Sequence, residues 1–162
     1  MNRIRKYCLV AMLMSAMLFA ACDSKVFYAD TQRVDESGWN MAKSVEFDVE
    51  VPDTTTYYHF MIDLRNTNTY EYANAFLFIN TTFPDGSVAH DTLECPLADV
   101  TGQWYGKRSG QYINNRYFFR KYVSFPMPGN YHFEILHGMR EADIKGIKNI
   151  GLRIEYAGKK QI

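Results

Sequence analysis

The feature that most constrains the fold of this chain is the strict alternation of apolar and acidic side chains over Val45–Val51. Odd positions carry Val or Phe and even positions carry Glu or Asp, so an extended strand here has one apolar face and one charged face. Strand-like runs recur roughly every 10 residues along the chain, and no amphipathic helix is long enough to cover a sheet. This pattern predicts an all-β fold: an antiparallel β-sandwich of about eight strands, jelly-roll-like or immunoglobulin-like.

Turn signals separate the expected strands. Pro84-Asp85-Gly86-Ser87 contains an Asp-Gly pair, which provides the positive φ of a tight hairpin. Asn66-Thr67-Asn68 is expected to end a strand, Asp99–Gly110 to form a long loop, and Glu141–Lys145 to make one short helical turn. The predicted strands are Val26–Val34, Val45–Val51, Tyr57–Leu64, Ala75–Phe83, Val88–Leu97, Tyr112–Phe125, Tyr131–Leu136 and Ile147–Tyr156.

Residues 1–21 have the composition of a targeting segment. Three basic residues precede an uncharged apolar run that is too short to span a bilayer comfortably but is typical of a signal peptide. The run ends in small residues before Cys22, which resembles a bacterial lipoprotein cleavage site. We therefore expect a lipoprotein signal peptide over residues 1–21 and acyl chains such as palmitate on Cys22. Secretory cleavage after Ala21 and an uncleaved anchor are the alternatives. Residues 22–162 are then one β-sandwich domain, with 22–30 forming a tether and the first strand.

The charge composition argues against a nucleic-acid partner, and the two halves of the mature chain carry opposite net charge. The 162 residues carry 18 basic and 18 acidic groups, so the chain lacks the basic footprint of a nucleic-acid-binding protein. Residues 22–100 hold 14 acidic and 4 basic groups, whereas residues 101–162 hold 4 acidic and 11 basic groups. Charge matching between strand faces explains this asymmetry, and a bipolar docking surface is the alternative.

The residues that usually carry catalysis do not form a recognisable motif. Cys95 is the single thiol after Cys22, and it lies on the apolar face of a strand-like segment, as a buried cysteine does. His59 and Asp63 share a strand face, but no Gly-x-Ser-x-Gly nucleophile accompanies them. The acidic residues of Val45–Val51 are about 6.8 Å apart along the strand, too far to hold one calcium ion. We expect no enzyme activity, no cofactor and no metal.

Aromatic residues in loops are the best candidates for recognition. Trp39 follows Ser37-Gly38, Tyr70 and Tyr72 lie in an irregular segment, and Trp104-Tyr105 lies among glycines. Such residues contact protein partners or stack on sugars, and the alternative is that they close the open ends of the sandwich. The cationic residues Lys107 and Arg108 flank Trp104-Tyr105 in the sequence. The candidate binding residues are Trp39, Tyr70, Tyr72, Trp104, Tyr105, Lys107 and Arg108.

A series of motifs from Cys22 to about Glu155 resembles the gliding motility lipoprotein GldH family. The motifs fall in the family's order and spacing over nearly the whole mature chain. They are Leu64-Arg65-Asn66-Thr67-Asn68, Tyr70, Tyr72, Asn74, Pro84-Asp85-Gly86, Asp91-Thr92-Leu93, Pro96-Leu97-Ala98-Asp99, Gly102, Trp104, Gly106-Lys107, Gly110, Phe125-Pro126, Gly129-Asn130-Tyr131, Met139-Arg140, Gly146-Ile147 and Gly151-Leu152-Arg153-Ile154-Glu155.

This resemblance implies a non-enzymatic interaction component of the envelope. It implies an outer-membrane lipoprotein associated with the gliding machinery and with type 9 secretion, whose partners are other envelope proteins. The residues after Cys22 lack a dense acidic run, which favours a periplasm-facing position. A glycan-binding envelope lipoprotein that uses the loop aromatics is the alternative.

Overall fold

The structure is a computed structural model that describes residues 25–35 and 37–159. The expected signal peptide and Cys22 lie outside the described residues. The described part contains eleven β-strands and no helix long and apolar enough to cross a membrane. The strands are β1 (Val26–Arg33), β2 (Trp39–Asn40), β3 (Val45–Val51), β4 (Thr56–Thr67), β5 (Asn74–Thr82), β6 (Val88–Pro96), β7 (Lys107–Ser109), β8 (Tyr112–Val123), β9 (Gly129–His137), β10 (Asp143–Ile144) and β11 (Ile147–Lys159).

Eight of these strands form a jelly roll. Sheet 1 has the order β1-β11-β4-β8-β7, sheet 2 has the order β3-β9-β5-β6, and every pairing is antiparallel. If the short β7 is left out, the eight long strands form two four-stranded sheets with the orders β1-β11-β4-β8 and β3-β9-β5-β6. This arrangement consists of two Greek keys whose strands alternate between the sheets, as in a jelly roll. The expected antiparallel sandwich is therefore confirmed, and its topology is jelly-roll-like rather than immunoglobulin-like.

The core lies between the two sheets. The expected division of β3 into one buried and one exposed face is confirmed. Its apolar residues Val45, Phe47, Val49 and Val51 are buried, and the acidic residues between them are exposed. Each such side chain contributes about 2 kcal/mol when it leaves water. Sheet 1 faces them with buried side chains of β4 and β11, chiefly Tyr58, Phe60, Ile62, Leu64, Ile150, Leu152 and Ile154.

Three expectations about irregular segments are wrong in detail. The strand expected to end at Leu64 continues to Thr67, inside the expected break at Asn66-Thr67-Asn68, and the buried Asn66 side chain accepts a hydrogen bond from Asn115. The expected helical turn over Glu141–Lys145 is instead the short strand β10, which pairs with β2. The expected loop over Asp99–Gly110 ends in β7, which pairs with the start of β8. By contrast, the expected hairpin turn is present, with Gly86 at φ 84°.

The long strands define two ends of the sandwich, here called the lower and upper ends. Lys25, Thr56, Val123 and Lys159 lie at the lower end, where β1 begins and β11 finishes. Thr67 lies at the upper end, together with the loops that hold the candidate aromatic residues. The twelve residues of β4 separate the two ends by roughly 35 Å.

Candidate functional site

A groove of about 770 Å³ crosses the outer face of sheet 1 near the upper end. It is lined by β4 and β8, with contributions from β1, from β11 and from the segment that leads into β7. Three of the charged side chains that line it are cationic and one is acidic: Arg65, Lys107 and Arg116 against Asp63. The groove therefore favours an acidic or strongly hydrogen-bonding partner.

Cross-strand hydrogen bonds fix the floor of the groove. Arg116 donates to both carboxylate oxygens of Asp63, from Nε at 2.6 Å and from an amino group at 2.8 Å. Arg65 Nε donates to Asn114 Oδ1 at 2.7 Å, and Asn114 Nδ2 donates to the Lys107 carbonyl at 3.3 Å. Hydrogen bonds of this kind hold the two guanidinium groups in a fixed orientation. The floor is a pre-ordered set of donors and acceptors.

Gly106 brings the wall of the groove against β8. A Cβ atom at this position would lie 2.6 Å from Ile113 Cγ2 and 2.7 Å from the Asn114 carbonyl oxygen. Only glycine fits such a close backbone approach. The segment before it is held as well, because Ala98 and Trp104 form an isolated bridge and Tyr105 N donates to the Leu97 carbonyl at 2.9 Å.

The structure separates the candidate aromatic residues into two groups. Trp39 is 2% exposed and its Nε1 donates to the Lys43 carbonyl at 2.8 Å. Tyr70 is also buried, and Tyr72 packs on it with ring centroids 5.6 Å apart. Trp39 and Tyr70 therefore close the upper end of the core and present no face to a ligand, which is the alternative that the sequence left open.

The second group lies at the groove. Trp104 is half-buried and packs against the core, while Tyr105 is 63% exposed and lines the groove. Lys107 and Arg108 are exposed on β7, the edge strand of sheet 1. The structure thus brings Tyr105 and Lys107 together with Arg65 and Arg116, which the sequence did not single out. Their shared face depends on the β4–β8 register, which has no local sequence signal.

The residues considered for catalysis have other contacts. Cys95 is fully buried, and burial raises the pKa of its thiol to about 12, so it is protonated and unreactive near neutral pH. Asp63 lies on the same face as His59 but binds Arg116 instead. The His59 ring packs against Tyr122, with centroids 4.5 Å apart.

Sheet pairing also brings together a cluster that sequence spacing did not reveal. Glu46 of β3 and both His132 and Glu134 of β9 place one potential metal-ligand atom each within 4.8 Å of one another. Asp48 Oδ1 lies 2.8 Å from His132 Nδ1, and this hydrogen bond raises the pKa of His132. The cluster lies on the solvent face of sheet 2, where Glu46 is paired with Glu134 across β3 and β9, and His132 is two residues before Glu134 on β9.

Comparison with known proteins places this fold in a family. The sequence model of the GldH lipoprotein family matches residues 26–154. The chain is 31% identical to the gliding motility lipoprotein GldH homolog of Christiangramia forsetii, over 88% of this chain and 91% of that one. It is 30% identical to the gliding motility lipoprotein GldH of Flavobacterium johnsoniae, over 89% and 93% of the two chains.

Solved structures with a similar outline are more distant. A non-crystalline-cellulose-specific carbohydrate-binding module of family 28 superposes with a TM-score of 0.43 at 10% identity, over 80% of this chain and 74% of that chain. A family 35 carbohydrate-binding module from Clostridium thermocellum gives a TM-score of 0.36 at 12% identity, over 80% and 90%. At this distance neither bears on function. The family match and the two relatives show that this chain belongs to the GldH lipoprotein family.

Proposed function

We propose that this protein is an outer-membrane lipoprotein, attached through acylated Cys22, that serves as a non-enzymatic interaction component of the gliding and type 9 secretion machinery. The observation that carries the proposal is the groove on sheet 1, where exposed Tyr105 adjoins Lys107, Arg65 and Arg116. An aromatic side chain beside cations is the composition of a binding hot spot. The partner we propose is another envelope protein with an acidic surface, reached from the periplasmic side.

The rigidity of the groove supports binding. Asp63 holds Arg116, and Asn114 holds Arg65, so the free protein already presents these groups in their bonded arrangement. Pre-ordered side chains lose less conformational entropy when a partner binds. The buried, protonated thiol of Cys95 supports the non-enzymatic part of the proposal, because this cysteine is a poor nucleophile.

Capture from detergent-solubilised envelope tests the groove. The bait is the lipidated protein, and the variants are Tyr105→Ala and Lys107→Glu, with Tyr122→Ala as the matched control. Tyr105 and Tyr122 are 63% and 66% exposed, but Tyr105 lines the groove and Tyr122 lies near the lower end of β8. Truncation of a hot-spot aromatic costs about 2 kcal/mol, roughly thirtyfold in affinity. We expect both groove variants to lose the captured protein while the control retains it. Equal capture by all three would overturn the groove as the interface.

Acylation has a separate test. Replacement of Cys22 by Ala, or inhibition of the lipoprotein signal peptidase with globomycin, is expected to leave unprocessed or soluble protein. Mass spectrometry of the mature N-terminus gives the readout. An unchanged mass and membrane fraction after either treatment would contradict the lipid anchor.

Glycan binding is the second candidate, and the exposed Tyr105 ring beside polar Asn114 is the observation that favours it. Sugars bind by stacking on an aromatic face while polar side chains hydrogen-bond their hydroxyls. A glycan array separates the candidates. Specific glycan binding that Tyr105→Ala abolishes would favour this function, whereas an empty array together with a captured protein supports the first.

A further inference from the structure

A second group of exposed aromatic side chains lies in the lower half of sheet 1. Phe118 and Tyr122 of β8 are 49% and 66% exposed on the outer face, beside His59, and Phe118 is opposite Met61, about midway along β4. Tyr156 of β11 is exposed at the lower end on the core side of the sheet, beside Tyr58. Lys121 of β8 and Lys159 at the end of β11 are also exposed. We call these five residues the lower-end patch. Large aromatic rings interspersed with lysines are the composition of a membrane-interface belt, where the rings enter the headgroup region and the ammonium groups meet anionic lipid.

The β8 part of the patch is held in place by specific contacts. The Tyr122 and Phe118 rings both pack edge-on against His59, with centroids 4.5 and 5.6 Å away. Lys121 Nζ lies 4.3 Å from the Phe118 ring centroid. Tyr122 has φ 53°, the one positive φ at a non-glycine position in the described part of the chain. Tyr122 lies where the β4–β8 register shifts, between the pairs Tyr58–Val123 and Phe60–Arg120, and a bulge of this kind accounts for its φ.

The position of the patch indicates what covers it. The Lys25 carbonyl accepts a hydrogen bond from Tyr156 N at 2.8 Å, so the described chain begins beside the patch. Cys22 is three residues before Lys25, and an extended tether of that length reaches only about 10 Å. A lipid on Cys22 therefore holds the lower end at the bilayer surface.

We infer that the lower-end patch is a second membrane contact that docks the domain on the lipid headgroups beside the Cys22 acyl chains. This inference rests on the proposed acylation of Cys22. The aromatic rings enter the interface and the lysines bind anionic headgroups. The lower half of sheet 1 then faces the bilayer surface, and the groove lies further along β4 and β8 from the Cys22 acyl chains.

Depth measurement on a spin label tests the docking. The acylated full-length mature protein is reconstituted in phosphatidylethanolamine–phosphatidylglycerol vesicles, with a nitroxide at Tyr122→Cys or, in the groove, at Tyr105→Cys. Cys95 is buried and remains unlabelled. The measurement compares how often the nitroxide collides with dissolved oxygen, which is apolar and enters lipid, and how often it collides with a water-soluble nickel complex. We expect a several-fold higher oxygen-to-nickel ratio at position 122 than at position 105.

A matched pair of variants separates the patch from the tether. Phe118→Ser in the 122-labelled protein should lower the ratio towards the aqueous value, because it removes the aromatic side chain of the β8 part of the patch that remains after Tyr122 is replaced. Phe78→Ser, at a phenylalanine that is 45% exposed on the outer face of sheet 2, should leave it unchanged. Mass spectrometry of the same sample reports acylation, so loss of the anchor and failure of the patch are distinguishable. In acylated protein, an aqueous ratio at position 122, or dipolar broadening from a second copy seated there, overturns the inference.

Discussion

Two histidines have opposite pKa shifts, and each gives the protein a different response to pH. His137 is buried, and its ring packs edge-on against Trp39 at 5.3 Å between centroids. Burial lowers the pKa of His137, although nearby backbone at Trp39 and Ala142 favours the charged ring. His132 is partly exposed, and its hydrogen bond to Asp48 raises its pKa.

His137 is expected to make the protein acid-sensitive. As pH falls below about 6.5, the unfolded chain binds a proton at this histidine before the folded chain does, so the free energy of unfolding decreases by up to about 1.4 kcal/mol per pH unit. Urea unfolding of wild type and His137→Phe at pH 7 and pH 5 measures the effect. The variant should lose less stability between the two pH values. An identical pH dependence in both proteins would show that His137 is not the group responsible.

His132 is expected to act in the opposite direction. Its raised pKa stabilises the folded protein below about pH 6.5, the unfolded value, and this stabilisation is lost as pH rises through the higher folded pKa. Because the pair is exposed, Asp48→Asn should cost only a few tenths of a kcal/mol at pH 6 and almost nothing at pH 8.5. Glu50→Gln, on the same face of β3, is the control. An equal cost at both pH values would exclude an ionic role for Asp48.

Residue burial was the least predictable property of the candidate site. Trp39 follows a Ser-Gly pair that is typical of an exposed turn, yet a hydrogen bond to the Lys43 carbonyl and the contact with His137 bury it. Tyr70 follows polar residues, but its hydroxyl donates to the Asn74 carbonyl while its ring enters the core. Both outcomes depend on contacts that the local sequence does not encode.

At the scale of elements, periodic strands were predictable and short ones were not. β3 has the bounds that its alternation predicts, because one buried face imposes period 2 on the sequence. β2 and β10 are two residues each and pair with each other although more than 100 residues separate them in the sequence. Strands this short have no periodic pattern from which they could be predicted. The extension of β4 through Asn66 depends on the Asn115 side chain of β8, a tertiary contact that outweighs the turn preference of Asn.

The edge strand β7 is expected to depend on Gly106. Gly106→Ala places a methyl group against Ile113 and the Asn114 carbonyl, which should cost about 1–3 kcal/mol and displace the wall of the groove. Thermal unfolding measures the loss, and amide hydrogen exchange at Lys107–Ser109 should accelerate. Ser109→Ala, at the exposed end of β7, is the control and should behave as wild type. Unchanged stability and exchange in Gly106→Ala would mean that β7 does not need the close approach.

At the scale of the whole molecule, the groove and the start of the described chain lie apart on sheet 1. The polar groove is near the upper end of β4, and the described chain begins at the other end, roughly 35 Å away. The lower-end patch extends along β8 as far as Phe118, which directly follows the groove residue Tyr117. The sequence indicated the sandwich, the lipid signal and the family, since each has a local pattern. The groove and the patch depend on how distant strands pair, so they required the structure.

The groove is proposed to meet a protein partner, while the lower-end patch is proposed to meet lipid. Site-specific photo-crosslinking in the living cell tests these two proposals most directly, with a photoreactive phenylalanine at Tyr105 or at Tyr122. We predict that position 105 yields a discrete protein adduct that Lys107→Glu abolishes, and that position 122 yields lipid adducts. A protein adduct at position 122 with none at position 105 would contradict the account.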